Sequence, residues 1–469
     1  MIIIKTIKHS DKLYTAITDD TRVVASLLKG ESISQDEHPI ELDSLLLVRC
    51  KQNATFVERL QDSIKDTSSR QIHIIESTQL IKILLGNAMQ EQMRIVGITG
   101  TNGKTTTAAI IYSILLDLGY KVALLGTRGF FMNDKMIKPK GLTTPSLLEL
   151  YENLCIAREA KSDFFIMEVS SHAIEQERIA GLEFALKILS NITSDHLDYH
   201  KSIEEYRRIK NSFFEGSGAK LINADEPYAH CSDKKAFYYG IEKKGHLSVD
   251  AYALENGIDA HISWRGHNGD VEHSTIEAHL YGKHNLYNAL AAVGAVKILT
   301  SKGLESIAQA LGHFGGVGGR MEVVHTSPLV IVDFAHTYDG MRQIFESFRH
   351  QKIVVVFGAG GDRDKTKRPK MGECAQQFAH KIYVTSDNPR TESAQSIIED
   401  ILSGITRQER VFVEVERKNA ICRALDELQN DEVLLILGKG DEDYQIIGTQ
   451  KLHFDDREIV KAYFAHKHS

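Results

Sequence analysis

Residues 94–120 read RIVGITGTNGKTTTAAIIYSILLDLGY, and this stretch decides the fold. The apolar run RIVGI has the length and composition of a buried strand, and TTTAAIIYSILLDLGY places apolar residues at helical spacing until Gly119 stops it. A glycine-rich loop lies between them. A strand feeding a helix through such a turn leaves the first helical N–H groups facing outward, where they and the aligned peptide dipoles bind phosphate. Gly97, Gly100 and Gly103 let the backbone approach phosphate oxygens, Lys104 reaches the terminal phosphates, and the Thr105 hydroxyl suits magnesium. The spacing is a variant of GxxxxGK[ST], because Ile98 stands where the first glycine would be. Such loops serve switches, motors, kinases and bond-forming ligases, so the choice among these rests on the rest of the chain.

Further strands, KVALLGT, DFFIMEV and FALKILSNI, alternate with the helical stretches PSLLELYENLCIAREA and SIEEYRRIKNSFFE, which predicts a largely parallel, helix-covered sheet. Ligands bind at the carboxyl ends of such strands. Residues 247–281 change to short alternating segments, read as antiparallel strands on the edge of that sheet. Beyond the glycine cluster GGVGGRMEVV a second series begins: LVIVDF, KIVVVFGAGG, KIYVTSDNP, VFVEV and EVLLILGKGDE, the strands of a separate doubly wound, Rossmann-like domain. The apolar runs MIII, LLLV and IHII near the start fit a small mixed α/β unit. The expected fold is α/β in three domains, residues 1–87, 88–321 and 322–469, at roughly 100–200 residues per domain.

Composition narrows the function. The chain has 56 basic and 63 acidic residues and a formal net charge of -7, which gives no general electrostatic footprint for nucleic acid. Five cysteines, Cys50, Cys155, Cys231, Cys374 and Cys422, lack CxxC spacing, so they read as buried thiols in a reducing compartment rather than zinc ligands or disulfides. No apolar run approaches the ~20 residues of a membrane span, and MIIIKTIKHSDKLY is too weakly apolar for a signal core. These features lead us to expect a cytoplasmic protein with no membrane partner.

Chemistry-bearing residues cluster after the strands. Glu168 ends FFIMEV, beside the phosphate loop, where an acid can hold magnesium or order water; Ser170, Ser171 and His172 follow, with a helix cap as the alternative role for either serine. SNITSDHLDYH supplies Asn191, Asp195, His196, Asp198 and His200 within ten residues. Lys210 lies on the next helix, where a lysine is ordinarily solvated. In the last domain, Asp333 and His336, the cluster GDRDKTKR and the segment SDNPRTE should gather at one sheet edge. Arg363 and Arg390 suit a carboxylate, which a guanidinium grips with two parallel hydrogen bonds, and Pro389 stiffens the turn before Arg390.

Taken in order, GTNGKTT, TTP, EVSSH, DHLDYH, GKHNLYNALAA, GRMEV, FAHT, GDRDK, DNPR and GKGDE resemble the Mur ligase family of peptidoglycan synthesis, and within it the tripeptide synthetases that add the third stem residue. The match runs from about residue 94 to 445; before residue 90 it rests on DDTRVV alone. The resemblance implies an ATP-dependent ligase. Such an enzyme phosphorylates the D-glutamate γ-carboxylate of UDP-N-acetylmuramoyl-L-alanyl-D-glutamate, and an amino acid held by the last domain attacks the acyl phosphate. It implies that Gly100, Thr101, Asn102, Gly103, Lys104, Thr105, Thr106, Asn285, Asn288, Arg320, Asp333 and His336 face ATP. Thr105, Glu168, His196 and Lys210 would serve Mg2+, the lysine as a carbamate formed with carbon dioxide, and Lys104, Glu168, His196 and Lys210 would be the catalytic set. Thr21, Arg22, Thr143, Thr144, Ser170 and Arg178 match positions for the nucleotide-sugar peptide. DNPR is the pattern of the meso-diaminopimelate enzymes, which places that acceptor among Arg363, Asp387, Asn388, Arg390, Gly438 and Glu442. The implied partners are small molecules, and the implied state is a monomer.

The chain departs from the family pattern at several positions. Thr21 stands for serine, Phe334 and Tyr338 for the tyrosine and proline of YAHTP, Gly319 for the proline before Arg320, and Asp441 for the histidine of GKGHE. The rival readings are a different acceptor such as L-lysine, a folylpolyglutamate-type ligase sharing the phosphate loop, and a nucleotide switch, for which no NKxD segment is present.

Overall fold

The computed structural model describes residues 2–9, 12–19, 33–35, 38–40, 44–49, 57, 71–79, 93–255 and 257–467. The uridine-end candidates Thr21 and Arg22 lie outside these residues. The strand, loop and helix of the opening stretch are Arg94–Thr99, residues 100–103 and Lys104–Asp117. The strand is buried on both faces, as a near-continuous apolar run requires when helices cover both sides of a parallel sheet.

That strand lies inside an eleven-stranded sheet. Its neighbours run in the order Lys135–Lys138, Gly129–Met132, Val122–Gly126, Phe164–Glu168, Arg94–Thr99, Leu186–Leu189, Ala219–Asn223, Phe237–Gly240, Leu247–Ala253, Ile258–Arg265 and Val271–Ala278. The segment from Val122–Gly126 to Leu247–Ala253 is parallel, and the last three strands pair antiparallel, as the change of pattern after residue 247 predicts. The opposite edge carries a hairpin of Gly129–Met132 and Lys135–Lys138, which periodicity does not reveal. Parallel register aligns the carboxyl ends: Glu168 pairs with Ile98, and Leu189 with Thr99. The phosphate loop, Gly126, Glu168 and Ser190 therefore emerge side by side.

Each face of this sheet has its own core. The helices Lys104–Asp117, Lys283–Leu299 and Leu304–Gly312 pack Ile110, Ile114, Leu290 and Ile307 onto one face. On the other, Leu147, Leu148, Tyr151 and Leu154 of the helix Leu147–Glu159 cover Ile95, Phe165 and Met167. This second core also takes in Ile17, Leu46, Val48 and Ile75 from the first sheet, whose order is Ile2–His9, Lys12–Thr18, Ser44–Arg49 and Gln71–Glu76.

The last sheet orders its strands Glu322–Thr326, Leu329–Asp333, Glu432–Leu437, Lys352–Phe357, Lys381–Val384 and Val411–Val413, all parallel after the first pair. Asp333, Gly438, Gly358 and Thr385 thus fall in a row at one edge, and the Gly438 N–H donates to the Asp333 carbonyl at 3.0 Å. Among the described cysteines Cys374 is buried, whereas Cys155, Cys231 and Cys422 are half-buried and none forms a disulfide; the expectation of buried thiols holds only for the first.

Candidate active site

The phosphate loop is held from below. Gly103 begins the helix in the left-handed region, φ 86°, and a Cβ there would lie 2.2 Å from Asn288 Oδ1, so both conformation and space demand glycine. Asn288, buried, accepts from Thr107 Oγ1 at 3.3 Å and donates to Asn285 Oδ1 at 3.0 Å; Asn285 donates in turn to the Tyr281 carbonyl. These two asparagines therefore brace the helix start. Thr101 accepts from the Thr193 N–H at 3.0 Å and is hydrogen bonded to the Tyr206 hydroxyl at 3.0 Å, while the Asn102 N–H donates to Asn191 Oδ1 at 2.9 Å. Lys104 Nζ folds over the loop and donates to the carbonyls of Gly100 at 2.7 Å and Thr101 at 2.9 Å. Burial lowers its pKa, with Glu168 and Asp195 opposing. Thr106 is buried behind the loop.

Glu168 is 2% exposed at the end of its strand. Its Oε2 accepts from Thr105 Oγ1 at 2.9 Å and Thr127 Oγ1 at 3.3 Å, and its Oε1 accepts from the Thr127 N–H at 2.9 Å. Thr127 goes unnoticed in the sequence because parallel register, rather than any motif, brings it beside an acid 41 positions away. A hydroxyl and a carboxylate oxygen so close make a hard-oxygen set that suits Mg2+. They also wall a cavity of about 340 Å³ that runs along the helix to Arg128 and residues 315–317.

His196 lies in the left-handed region at φ 54°, a costly conformation for a side chain that bears on function. Although 48% of the side chain is exposed, its pKa is lowered to about 4 by partial withdrawal from water, with His172 and Lys104 adding to this and Asp195, whose carboxylate is 3.5 Å away, opposing. The ring is therefore neutral at pH 7, the form that ligates metal. Its neighbours include His172, with ring centroids 5.0 Å apart. Lys210 rides on the helix Ile203–Ser212, which Ser202 caps by accepting from the Glu205 N–H at 3.1 Å. Tyr206, Ile209 and Lys210 form its buried face, and Lys210 is 1% exposed with Nζ 4.8 Å from the Tyr206 ring centroid. Burial holds its pKa well below the ordinary lysine value, and Lys104 adds to the effect. The solvated role usual for a helix lysine does not apply.

The nucleotide-sugar candidates form a chain of contacts that meets the Glu168 site at Thr127 and at the Glu168 carbonyl. Thr143 Oγ1 is hydrogen bonded to Thr127 Oγ1 at 3.1 Å. Thr144 Oγ1 donates to the Glu168 carbonyl at 2.9 Å and accepts from the Ser170 N–H at 3.0 Å, and Arg178 donates to the Thr144 carbonyl at 2.8 Å. Ser170 also caps the helix Ser171–Glu175, so the alternative role is occupied too.

Across the junction, Arg320 stacks its guanidinium 4.2 Å from the Phe334 ring centroid and leaves a buried Nε without a partner among the described residues. That orphaned donor, electrostatically coupled to Lys104, suits an anionic oxygen. Asp333 accepts from the Met321 and Ala335 N–H groups, both at 2.7 Å, and burial raises its pKa despite Arg320. His336 shares a hydrogen bond with the Phe334 carbonyl at 3.0 Å, and burial lowers its pKa. Burial disfavours ionised Asp195, yet His196, His336 and Lys367 outweigh it and hold the carboxyl below its usual range. Lys367 thus joins the centre from within the basic cluster, unsingled by sequence.

In the last domain, Gly360 lies between the two arginines: a Cβ there would be 3.0 Å from Arg390 Nη1 and 3.8 Å from Arg363 Cγ. Arg390, at φ 53°, donates to the Gly361 carbonyl at 2.7 Å. Asn388 donates to Glu442 Oε2 at 2.8 Å and accepts from the Ile446 N–H at 2.9 Å. Fully buried Lys439, missed in the sequence, sits 3.3 Å from both Glu442 Oε2 and Asn388 Oδ1 and 3.9 Å from Asp387. Asp387 also faces Gly438. A fully buried Arg417 donates to the carbonyls of Ser386 at 3.4 Å and Leu437 at 3.0 Å and pairs with Asp456 at 2.7 Å, which fixes the two strand ends from behind.

The family model of the Mur ligase middle domain matches residues 98–296, and that of the Mur ligase glutamate ligase domain matches residues 319–440. A UDP-N-acetylmuramoyl-L-alanyl-D-glutamate--2,6-diaminopimelate ligase of Helicobacter hepaticus is 70% identical over 99% of both chains. The chain belongs to the Mur ligase family. A ligase of the same name from Helicobacter pylori is 50% identical to it over 98% of both chains. A solved diaminopimelate ligase of that name superposes with a TM-score of 0.63 at 25% identity, covering 93% of this Mur ligase and 98% of the other chain. A UDP-N-acetylmuramate-alanine ligase from Thermotoga maritima shares the fold, with a TM-score of 0.57 at 18% identity over 96% of this ligase and 91% of its own length. No described helix is long and apolar enough to cross a membrane.

Proposed function

We propose that this Mur ligase uses ATP to join meso-2,6-diaminopimelate to the D-glutamate γ-carboxylate of UDP-N-acetylmuramoyl-L-alanyl-D-glutamate, in the cytoplasmic synthesis of peptidoglycan precursor. The observation that carries the reading is the approach of both Arg363 and Arg390 to Gly360, beside the Asn388–Glu442 hydrogen bond, in a member of a family of ligases. An acceptor with an amino acid centre at each end needs cations for its far carboxylate and acceptors for its far ammonium. The two arginines supply the first; Glu442 and the Gly438 carbonyl supply the second.

In this reading the γ-carboxylate oxygen attacks the terminal phosphorus of ATP and ADP leaves. The acceptor nitrogen then attacks the acyl carbon, phosphate leaves, and one proton is released. Lys104, the loop N–H groups and Arg320 neutralise the charge spread over the transferring phosphoryl group. Thr101, Asn102, Gly103, Thr106, Asn285 and Asn288 hold the loop in shape, and Asp333 and His336 face the nucleotide from the third domain. Thr105, Glu168, His196 and the carbamate of Lys210 would hold Mg2+, which when bound screens phosphate charge as a Lewis acid. The Lys210 environment fits this modification, since only a neutral amine adds carbon dioxide and burial favours that form. Thr143, Thr144, Ser170 and Arg178 line the donor side. Residues 1–87 would take the uridine end, 88–321 ATP and 322–469 the acceptor, within a monomer.

The test is phosphate release with a panel of acceptors. Release should require both the nucleotide-sugar dipeptide and meso-diaminopimelate, and isotopic oxygen placed in the γ-carboxylate should appear in the phosphate. Preference for L-lysine overturns the acceptor, and isotope confined to the amide product overturns the acyl phosphate.

A further inference from the structure

Three of the positions where this chain departs from the family pattern meet at one place. Gly319 takes φ 68°, and a Cβ on it would lie 2.0 Å from the Asp441 nitrogen. Proline, with φ near -65°, cannot follow this path, so glycine in its place lets the linker lie directly against the turn of residues 438–442. Phe334 abuts the same turn, since a Cβ on Gly440 would come 2.7 Å from the Phe334 Cβ. Asp441 then extends a carboxylate, 12% exposed, to Arg128 Nε at 3.9 Å, where the family pattern has an imidazole. Its backbone carbonyl accepts from Lys140 Nζ at 3.1 Å, and Lys140 also pairs with Asp443 at 3.0 Å.

What these central-domain partners carry gives the contact its meaning. Arg128 and Thr127 are the two-residue turn between Val122–Gly126 and Gly129–Met132, and Thr127 gives Glu168 two of its hydrogen bonds. Lys140 precedes Thr143 and Thr144, whose hydroxyls contact Thr127 and the Glu168 carbonyl. On the other side, Asp441 is bonded in sequence to Glu442 and stands two residues from Lys439. One turn of the third domain is therefore tied at two points to the segments that shape the metal and donor sites.

We propose that Asp441 is a positioning residue which, through Arg128 and beside Lys140, sets the acceptor turn against the Thr127–Glu168 pair, so that the acceptor amine meets the activated carboxylate in register. The proposal rests on the ligase reading above. It makes Gly319 and Asp441 a matched pair: the glycine provides the close approach and the aspartate provides the tie. Arg128, although half-exposed, is thereby more than a solvated turn residue.

The experiment compares wild type with Arg128→Met, Asp441→Asn, the Arg128→Met/Asp441→Asn double variant, the exchange Arg128→Asp/Asp441→Arg, and Gly319→Ala. Steady-state phosphate release is measured with whichever acceptor wild type uses best, and thermal midpoints are recorded alongside. Arg128→Met and Asp441→Asn should each raise the acceptor KM about two- to fivefold, with KM for ATP within about twofold and an unchanged midpoint, a loss on the scale of one partly exposed ion pair. The double variant should be no worse than either single one, and the exchange should recover at least half of the loss. Gly319→Ala should also raise the acceptor KM with Arg128 and Asp441 intact, here with a lowered midpoint, because its Cβ would meet the Asp441 nitrogen at 2.0 Å. Additive single effects, an unchanged acceptor KM, or equal rises in the KM of ATP and acceptor would overturn the tie. Because the assay uses the preferred acceptor, failure of the diaminopimelate assignment shows in wild type alone and is distinct from failure of the tie.

Discussion

Replacing Glu168 by glutamine separates the architecture of the metal site from its charge. The side chain accepts one backbone N–H, from Thr127, and two hydroxyls, from Thr105 and Thr127. In Glu168→Gln the amide oxygen keeps the N–H of Thr127, and the new NH2 group donates to the two hydroxyls, which rotate to become acceptors. No buried polar atom is left alone, so the loss is about 0.5–1.5 kcal/mol. Glu168→Ala instead strands the Thr127 N–H, at about 1–3 kcal/mol, and removes a buried methylene worth about 0.8 kcal/mol, for a total of roughly 2–4 kcal/mol. At about 2–4 °C per kcal/mol for a domain of this size, differential scanning should place the alanine midpoint clearly below that of glutamine. Activity should behave otherwise: without the carboxylate charge that would hold Mg2+ against the transferring phosphoryl group, phosphate release should fall at least ~10²-fold in both variants. Turnover of Glu168→Gln within tenfold of wild type, or a glutamine midpoint as low as that of alanine, refutes the reasoning.

Lys210→Ala should abolish phosphate release with its fold intact, and millimolar short carboxylic acids should restore part of it; an alanine variant active without them sinks the carbamate. Arg390→Ala should cut the preference for meso-diaminopimelate over L-lysine, measured as a ratio of kcat/KM, by about 10–200-fold, the scale of ~1–3 kcal/mol for a half-buried guanidinium left unmatched; an unchanged ratio removes Arg390 from the clamp. His200 and His284 are each held down to about 4, chiefly by burial. The folded chain keeps them neutral while the unfolded chain binds protons near pH 6.5, so their stabilisation is complete above about pH 6.5 and is lost as pH falls toward 4. A thermal midpoint that holds steady from about pH 6.5 to 5 contradicts neutral histidines.

Much of the fold was legible because its signals are local. RIVGI, DFFIMEV and EVLLILG are unbroken apolar runs of strand length, and the glycines that follow mark loops rather than helix interiors. The DNPR and GDRDK segments could be assigned to one sheet edge because each follows a strand of a parallel sheet. What stayed hidden depends on register. Thr127 and Glu168 touch because adjacent parallel strands end level, and Lys439 matters because it is enclosed between Asn388 and Glu442, neither of which a one-dimensional pattern reveals. Lys210 was the instructive case: helical spacing puts it on the face of Tyr206, but only packing tells a buried face from a wet one. The hairpin at residues 129–138 was also missed, since GFFMNDKMIK has too few alternations to announce two strands.

The apolar layer shared by Ile17, Leu46, Val48 and Ile75 with Leu147, Tyr151 and Leu154 bears on how such chains can be recombined. A crossover placed near residue 90, at the apparent seam between the first two units, would join halves whose interlocking surfaces had never been matched. Chimaeras with relatives should tolerate exchange of residues 1–87 only when the helix Leu147–Glu159 travels with them, whereas a break near residue 320 leaves that layer whole.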